Sequence, residues 1–533
     1  MALTLALSFA SRTVFLWVFG VEYLGLNGLF SDVLAFLSLT DLGLNTAMVY
    51  SFYAPLARED HRKLAALVQY YQRLYQTIAL IVFLLGLLLL PVLPYLVHTA
   101  QPISHLSIYY LIALANVSLS YLFVFRTSIL SADQRNYEIV RISMVVSVVQ
   151  TVVQIASMLI VRSYILYLLI GSIGALATNL LSSRRAVRSY PYILTPAQLT
   201  TEEKADVRHT IFSGVFYKVS SVLLNATDNL LISVLVSTAA VGIYSNYLMI
   251  QNQIVMLATL VFSSLTAGIG NLIVQASPEK RQEVFACEQT VSFFSSLVLL
   301  PCYLLLVGDF IHLWIGEAYE LDRFTVYAIG VNLYLATALQ PLWSFRDATG
   351  LYRRTKYVML ACATLNLVLS IALGLHWGVF GILLASGLAR LGTYFWYEPK
   401  LLFAEYFGTG TKQYYLGMGK NAMLVTACTC GLDALLTSVE IDTWRLWFVK
   451  AIGLTCFMAA VAFLVYHREP GFQIVLGKLG GLSIGSKSLA ERIAIMKEFA
   501  KRPRGGDTNP LLHPERSFIF ENFSLRMLCC LRI

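Results

Sequence analysis

Five residues able to bind ions or to hydrogen-bond a ligand recur within one apolar stretch. They are Lys218, Ser221, Asn225, Asp228 and Asn229, inside Ile211–Met249. On a helix they fall within roughly a 100° arc, so one face of that helix is polar. The stretch is apolar enough to enter a bilayer, where a central charge costs about 2.5–3.5 kcal/mol, so the face must look into protein or a watery cavity rather than at lipid. Two roles fit: a structural Lys218–Asp228 pair with packing hydrogen bonds, or the lining of a pathway.

A second set of seams opens the chain. Thr4, Ser8, Ser11 and Arg12 share about a 100° arc, and Asn27, Ser31, Ser38, Asp41 and Asn45 share about 80° on the next helix, with Asp32 off that stripe. Leu24–Phe30 aligns with Val241–Tyr247, which puts Gly25 over Gly242 and Asn27 over Tyr244. Each glycine is expected at the turn between two spans, and the first helix is expected to correspond to the seventh. Arg390, in GILLASGLARLGTYFWYEP, is a third intramembrane cation beside Arg12 and Lys218. It lies about eight residues from the cytoplasmic end of its span, close enough to snorkel there instead. A lumen with three cations suits an anionic substrate. Asp41 and Asp228 either couple to sodium or protons or hold the basic residues in place.

The elements that must position these residues are membrane helices. Of 533 residues 57% are hydrophobic and only 13% charged, with mean hydropathy +0.68, far below the roughly 25% charged of a soluble domain. The fold class is all-α and polytopic. Windows of about 20 apolar residues give about fourteen spans, near 2–21, 28–53, 76–97, 106–125, 140–161, 164–182, 210–236, 240–268, 287–310, 324–345, 357–375, 378–397, 421–438 and 446–466. The opening has neither a basic n-region nor a small-residue cleavage site, so it reads as a first membrane helix and not a signal peptide.

Net charge of +9 in a soluble chain would suggest nucleic acid; here the basic residues fall between apolar spans and set orientation. With the N-terminus in the cytoplasm, 21 lysines and arginines lie in the cytoplasmic connections between spans, against Arg162, Arg323 and Arg445 outside. Both termini are then cytoplasmic. The eight cysteines lie mostly inside spans without metal-like spacing and read as small apolar packers. No cofactor or metal site is expected.

The expected organisation is an N-lobe over 1–183, a cytoplasmic inter-lobe loop over 184–209, a C-lobe over 210–400, two further helices over 401–466 and a cytoplasmic tail over 467–533. Ser488–Ala500 in that tail suits a short amphipathic surface helix or a disordered segment. GGLSIGSKS misses the phosphate-cradling loop because Ser486 intervenes before Lys487, and the terminal Cys530–Ile533 departs from a prenylation box at Arg532. Paired bundles with polar residues at the midplane are the architecture of alternating-access transporters.

Ser11–Asp60 (SRTVFLWVFGVEYLGLNGLFSDVLAFLSLTDLGLNTAMVYSFYAPLARED) and Thr227–Tyr247 (TDNLLISVLVSTAAVGIYSNY) resemble the polysaccharide-transport branch of the multidrug/oligosaccharidyl-lipid/polysaccharide exporter superfamily. The resemblance covers residues 1 to about 465. It implies two pseudo-symmetric six-helix lobes around a central cationic cavity, with two extra C-terminal helices, in the bacterial cytoplasmic membrane. The implied substrate is an undecaprenyl-diphosphate-linked oligosaccharide flipped from inner to outer leaflet, with Arg12, Lys218, Arg390, Asn225, Asn27 and Tyr244 binding it. Polysaccharide polymerase and glycosyltransferases are the implied partners. A cation-coupled multidrug exporter of the same superfamily is the main alternative, although its cavity should be dominated by carboxylates. A polymerase or glycosyltransferase fits less well, because the largest outside loop, Gly308–Arg323, offers only Asp309, Glu317, Glu320 and Asp322 in an aromatic context.

Overall fold

A computed structural model describes residues 2–38, 44–100, 103–208, 219, 222–224, 226–436 and 441–474. Among them the chain is helical, without strands. The helices are α1 (Ala2–Phe19), α2 (Val21–Leu37), α3 (Leu44–Ala57), α4 (His61–Leu88), a short α5 (Leu93–Leu96), α6 (Leu106–Ala132), α7 (Asn136–Ile160), α8 (Tyr164–Ser189) and α9 (201–208). They continue with α10 (Thr227–Leu235), α11 (Thr238–Gln275), α12 (Pro278–Ile315), α13 (Arg323–Ala338), α14 (Gln340–Thr349), α15 (Tyr352–Gly392), α16 (Tyr394–Leu402), α17 (Lys412–Leu436) and α18 (Trp444–Tyr466). Seven described helical runs are long and apolar enough to cross a membrane, and an eighth counts if the bent pair α1–α2 is one span. The fold is an all-α polytopic membrane protein.

Packing follows from the lipid surroundings. On α7, Val145, Val149, Val152 and Val153 are all exposed, a placement that is costly in water and natural against hydrocarbon. Polar groups turn inward or cap ends: Asp60 accepts from the Lys63 amide at 2.9 Å at the start of α4.

Breaks differ from the apolar windows where backbone chemistry intervenes. The window 2–21 ends at Gly20, whose φ of 83° suits glycine, and the chain bends by 118° into α2. In the window 28–53, α2 runs to Leu37 and α3 starts at Leu44, with residues 39–43 outside the described ones. Gly378, at φ 59° and ψ −135°, kinks α15 at the junction expected between the 357–375 and 378–397 spans.

The described chain forms two compact units. Unit 1 holds 1–249, 314–329 and 353–395; unit 2 holds 250–313, 330–352 and 396–533. Within unit 1, α2 and α11 meet at their glycines, which corrects the expectation that Gly25 and Gly242 sit at turns. Both are inside helices. A Cβ on Gly25 would stand 1.8 Å from the Thr238 carbonyl oxygen, and one on Gly242 would stand 2.2 Å from that of Val21. The contacts are reciprocal, since Gly25 and Gly242, like Val21 and Thr238, are 217 residues apart.

The stretch after α8 is folded onto unit 1. α8 continues to Ser189, beyond the expected span end at 182, and Gln69 of α4 accepts from the Ala197 amide at 3.3 Å. α9 opens with a capping box: Thr200 N–H donates to Glu203 Oε2 at 3.0 Å and Glu203 N–H to Thr200 Oγ1 at 3.2 Å. The Thr200 amide, then Lys63 at 3.0 Å, holds the Glu203 carboxyl below its ordinary range.

Two outcomes follow. Gly25→Ala and Gly242→Ala should each destabilise the protein by ~1–3 kcal/mol or more, read as a lower melting temperature, because backbone rather than a flexible side chain must move. Glu203 stabilises α9 while ionised, so its contribution is present above the usual carboxylate range and is lost as pH falls through the lowered value. Amide-exchange protection of 201–208, corrected for intrinsic rates, should fall on acidification, and Glu203→Gln should remove that dependence.

Candidate functional site

Arg12 lies on α1 about two turns before the Gly20 break. Its Nη1 donates to Ser245 Oγ on α11 at 2.9 Å, and Ser245 Oγ donates to the Gly242 carbonyl at 2.7 Å. The arginine is thereby tied to the glycine crossing. Among the described residues no carboxylate is in ion-pair range of it, and Tyr167 is its electrostatic neighbour. The relation repeats on the other side: Asn229, 217 residues after Arg12, approaches Gly28, which is 217 residues before Ser245.

The polar stripe of α2 faces a cavity of about 410 Å³. Asn27, Ser31 and Ser38 line it together with Asn116 of α6, and Phe30 and Leu34 complete much of its apolar wall. Asn27 Oδ1 accepts from the Tyr164 hydroxyl at 2.7 Å, which fixes the amide's orientation. Tyr164 is the centre of an aromatic group: its ring lies 4.8 Å from Tyr23, 4.7 Å from Tyr109 and 5.5 Å from Phe19. Phe15 stands 5.0 Å from Tyr167. Rings of this kind combine apolar faces with polar edges.

On α10 the acidic residue Asp228 is held by hydroxyl chemistry. Ser386 Oγ is 3.3 Å from both Asp228 carboxylate oxygens, and Asn366 Nδ2 donates to Ser386 at 2.8 Å. Arg390, one turn after Ser386, is in electrostatic reach of Asp228 without a direct ion pair. Asp32 sits beside Asn229. Its Oδ2 and Asn229 Oδ1 are buried with no hydrogen-bond partner among the described residues.

The structure thus places Arg12 and Asn27 on adjoining helices of unit 1, and Asp228 with Arg390 on a separate polar network of the same unit. Tyr244 is buried in α11, only 5% exposed. Lys218, Asn225 and Asp41 lie outside the described residues. In the 217-residue register the counterpart of Arg12 is Asn229, whereas Lys218 pairs with Met1. Sequence reasoning missed Asn116, Ser386 and Asn366, and it set Asp32 aside because that residue lies off the polar stripe of its own helix.

No protein-family model and no curated protein matches this sequence. Among solved structures, the fold is similar to that of a lipid II flippase MurJ in an inward closed conformation. The TM-score is 0.65 at 14% identity, covering 88% of this chain and 97% of that one. It is also similar to an inward-facing multidrug resistance MATE family transporter of the MOP superfamily, with TM-score 0.54 at 13% identity over 80% and 95%. The fold is therefore shared with these two solved structures, and the second is described as belonging to the superfamily that Ser11–Asp60 and Thr227–Tyr247 resemble.

Tyr164 separates packing from positioning. Tyr164→Phe keeps the ring and should cost only ~0.5–1.5 kcal/mol for the bond to Asn27, while Tyr164→Ala should cost ~3–5 kcal/mol by emptying the aromatic group. Thermal melts of the purified variants would show the two steps.

Proposed function

We propose that the chain is a flippase that moves an undecaprenyl-diphosphate-linked oligosaccharide from the inner to the outer leaflet of the bacterial cytoplasmic membrane by alternating access. The observation that carries this reading is Arg12, an intramembrane guanidinium held by Ser245 with no carboxylate in ion-pair range among the described residues. It stands on the helix next to the amide- and hydroxyl-lined face of α2. A diphosphate crossing a bilayer needs a cationic partner where desolvation costs most, and Arg12 offers two parallel N–H donors to phosphate oxygens. Lys218 and Arg390 add charge along the route, Asn27, Asn225 and Tyr244 contact the saccharide, and Asp228 holds Arg390 electrostatically.

The lobes are residues 1–183 and 210–400, and the basic-residue bias puts both termini in the cytoplasm. The product feeds a polysaccharide polymerase for capsule, exopolysaccharide or O-antigen chains. The flippase neighbour is named for lipid II, and a lipid II-like precursor belongs to the same substrate class. The MATE neighbour supports a second reading, a cation-coupled multidrug exporter in which Asp32, Asp41 or Asp228 carries sodium or a proton. In that case carboxylates rather than Arg12 would govern transport.

Complementation of a flippase-null strain, read as clearance of its accumulated lipid-linked oligosaccharide, tests the proposal. Arg12→Ala should retain near-normal membrane abundance and reduce flux about 10- to 150-fold, the equivalent of losing ~1.5–3 kcal/mol of charge-assisted hydrogen bonding. Arg12→Lys should recover only part of it, since a point charge replaces the fork. Normal flux from Arg12→Ala would sink the assignment.

A further inference from the structure

Unit 2 holds a buried carboxyl group that the transport reading does not use. Glu288 of α12 is 3% exposed, on a face shared with Phe285, Ser292 and Ser296, all buried. That face packs on α13 and α14. Phe285 and Phe345 rings lie 5.3 Å apart, and Ser292 Oγ donates to the Thr337 carbonyl at 2.8 Å. Glu288 falls between these contacts along α12, level with the break between α13 and α14. The break has a local cause. Pro341 has no N–H to give the Thr337 carbonyl four residues earlier, and Ser292 supplies the missing donor.

No comparable donor reaches Glu288. Both Oε1 and Oε2 are buried without a hydrogen-bond partner among the described residues. The charged groups on the surrounding elements make contacts other than to Glu288, although Arg281 Nε, two turns earlier on α12, is buried without a partner among the described residues. Arg346 of α14 pairs with Glu398 of α16 at 3.2 Å and with Asp347 at 3.0 Å. Lys280 pairs with Glu283 on α12 itself, and Arg281 Nη1 donates to the Tyr406 carbonyl at 3.4 Å. Lys420 of α17 pairs with Glu469. Tyr414 of α17 also packs on this face: its ring lies 6.1 Å from Phe285, and its hydroxyl is buried with no hydrogen-bond partner among the described residues.

An ionised carboxylate without donors in a low-dielectric interior takes a proton instead of staying charged. A structural carboxylate would have at least one partner atom, as Glu398 has. We propose that Glu288 is a proton-binding site, which holds a proton in the packing seen here and gives it up to water when α12 separates from the α13–α14 break. On uptake, a hydrated carboxylate and one proton from water give the neutral acid; on opening, the O–H bond breaks and that proton returns to water. No other group changes its protonation. The ligand is the proton itself, and in a transporter it is the coupling ion.

The full chain in lipid nanodiscs tests this. The infrared spectrum of the wild type should contain a carboxylic-acid C=O band that Glu288→Gln removes. Because only the folded packing keeps the proton, the wild-type melting temperature should fall as pH rises from acid to alkaline, and Glu288→Gln should flatten that slope. An unchanged spectrum or an unchanged slope overturns the proposal. Should Glu288→Gln not accumulate, Glu288→Asp carries the same test: a displaced acid band supports the site and an unchanged spectrum overturns it. The coupling role rests on the transport reading. In the flippase-null strain, Glu288→Gln at wild-type abundance should lose most of its flux, and full flux would overturn proton release. Failure of the wild type to complement would instead sink the transport reading, leaving the spectra and melts to decide Glu288.

Discussion

Two helices of unit 1 approach until neither can carry a Cβ at the contact. In hydrocarbon, apolar side chains gain nothing by leaving lipid for protein, so helices associate through close backbone packing and interhelical hydrogen bonds. Gly25 and Gly242 supply that closeness, and the reciprocal Val21 and Thr238 carbonyls show that the two segments meet in one register. The polar residues inherit the register. Arg12 reaches Ser245 on the opposite segment, and Asn229 approaches Gly28 in the mirrored position. A larger residue at the crossing would displace the guanidinium's support as well as the helices.

Hydrophobic periodicity made most helices legible, because the bilayer's thickness and its lack of water impose length and apolarity on every span. What it left unread was backbone geometry. Gly20 lies in an apolar run and gives no compositional sign of a 118° bend. The pairing of Gly25 with Gly242 was legible as similarity, but a glycine in a crossing and a glycine in a turn look alike in one dimension. The stretch expected as an inter-lobe loop carries a Thr200–Glu203 box and a contact with Gln69 of α4 that its composition does not announce.

The candidate site was legible only as far as one helix can be read alone. A helical arc correctly grouped Asn27, Ser31 and Ser38 on one wall of a cavity. It could not supply Asn116, which comes from α6, or the Tyr164 hydroxyl that orients Asn27 across 137 residues of sequence. Asp32 failed the same test for the opposite reason: it leaves its own helix's stripe because it turns toward Asn229. Arg390 was balanced between snorkelling and an inward role, and the structure brings it within electrostatic reach of Asp228.

Intramembrane carboxyl groups in this chain meet their desolvation cost in different ways, and the differences sort structure from chemistry. Glu398 is paired with Arg346, so removing the arginine would leave a buried charge uncompensated, which typically costs ~3–5 kcal/mol. Asp228 relies on a neutral hydroxyl, itself oriented by Asn366, with an arginine further off. Such a group can exchange its partners at moderate cost, because hydroxyl donors can rotate. Asp32 and Glu398 each keep one buried oxygen without a partner among the described residues, and Glu288 keeps both. A fold can maintain an ion pair for stability alone, but an unsatisfied carboxyl lowers stability wherever it is kept ionised. Its presence is therefore best explained by a second state of the protein in which water, a proton or a ligand reaches it.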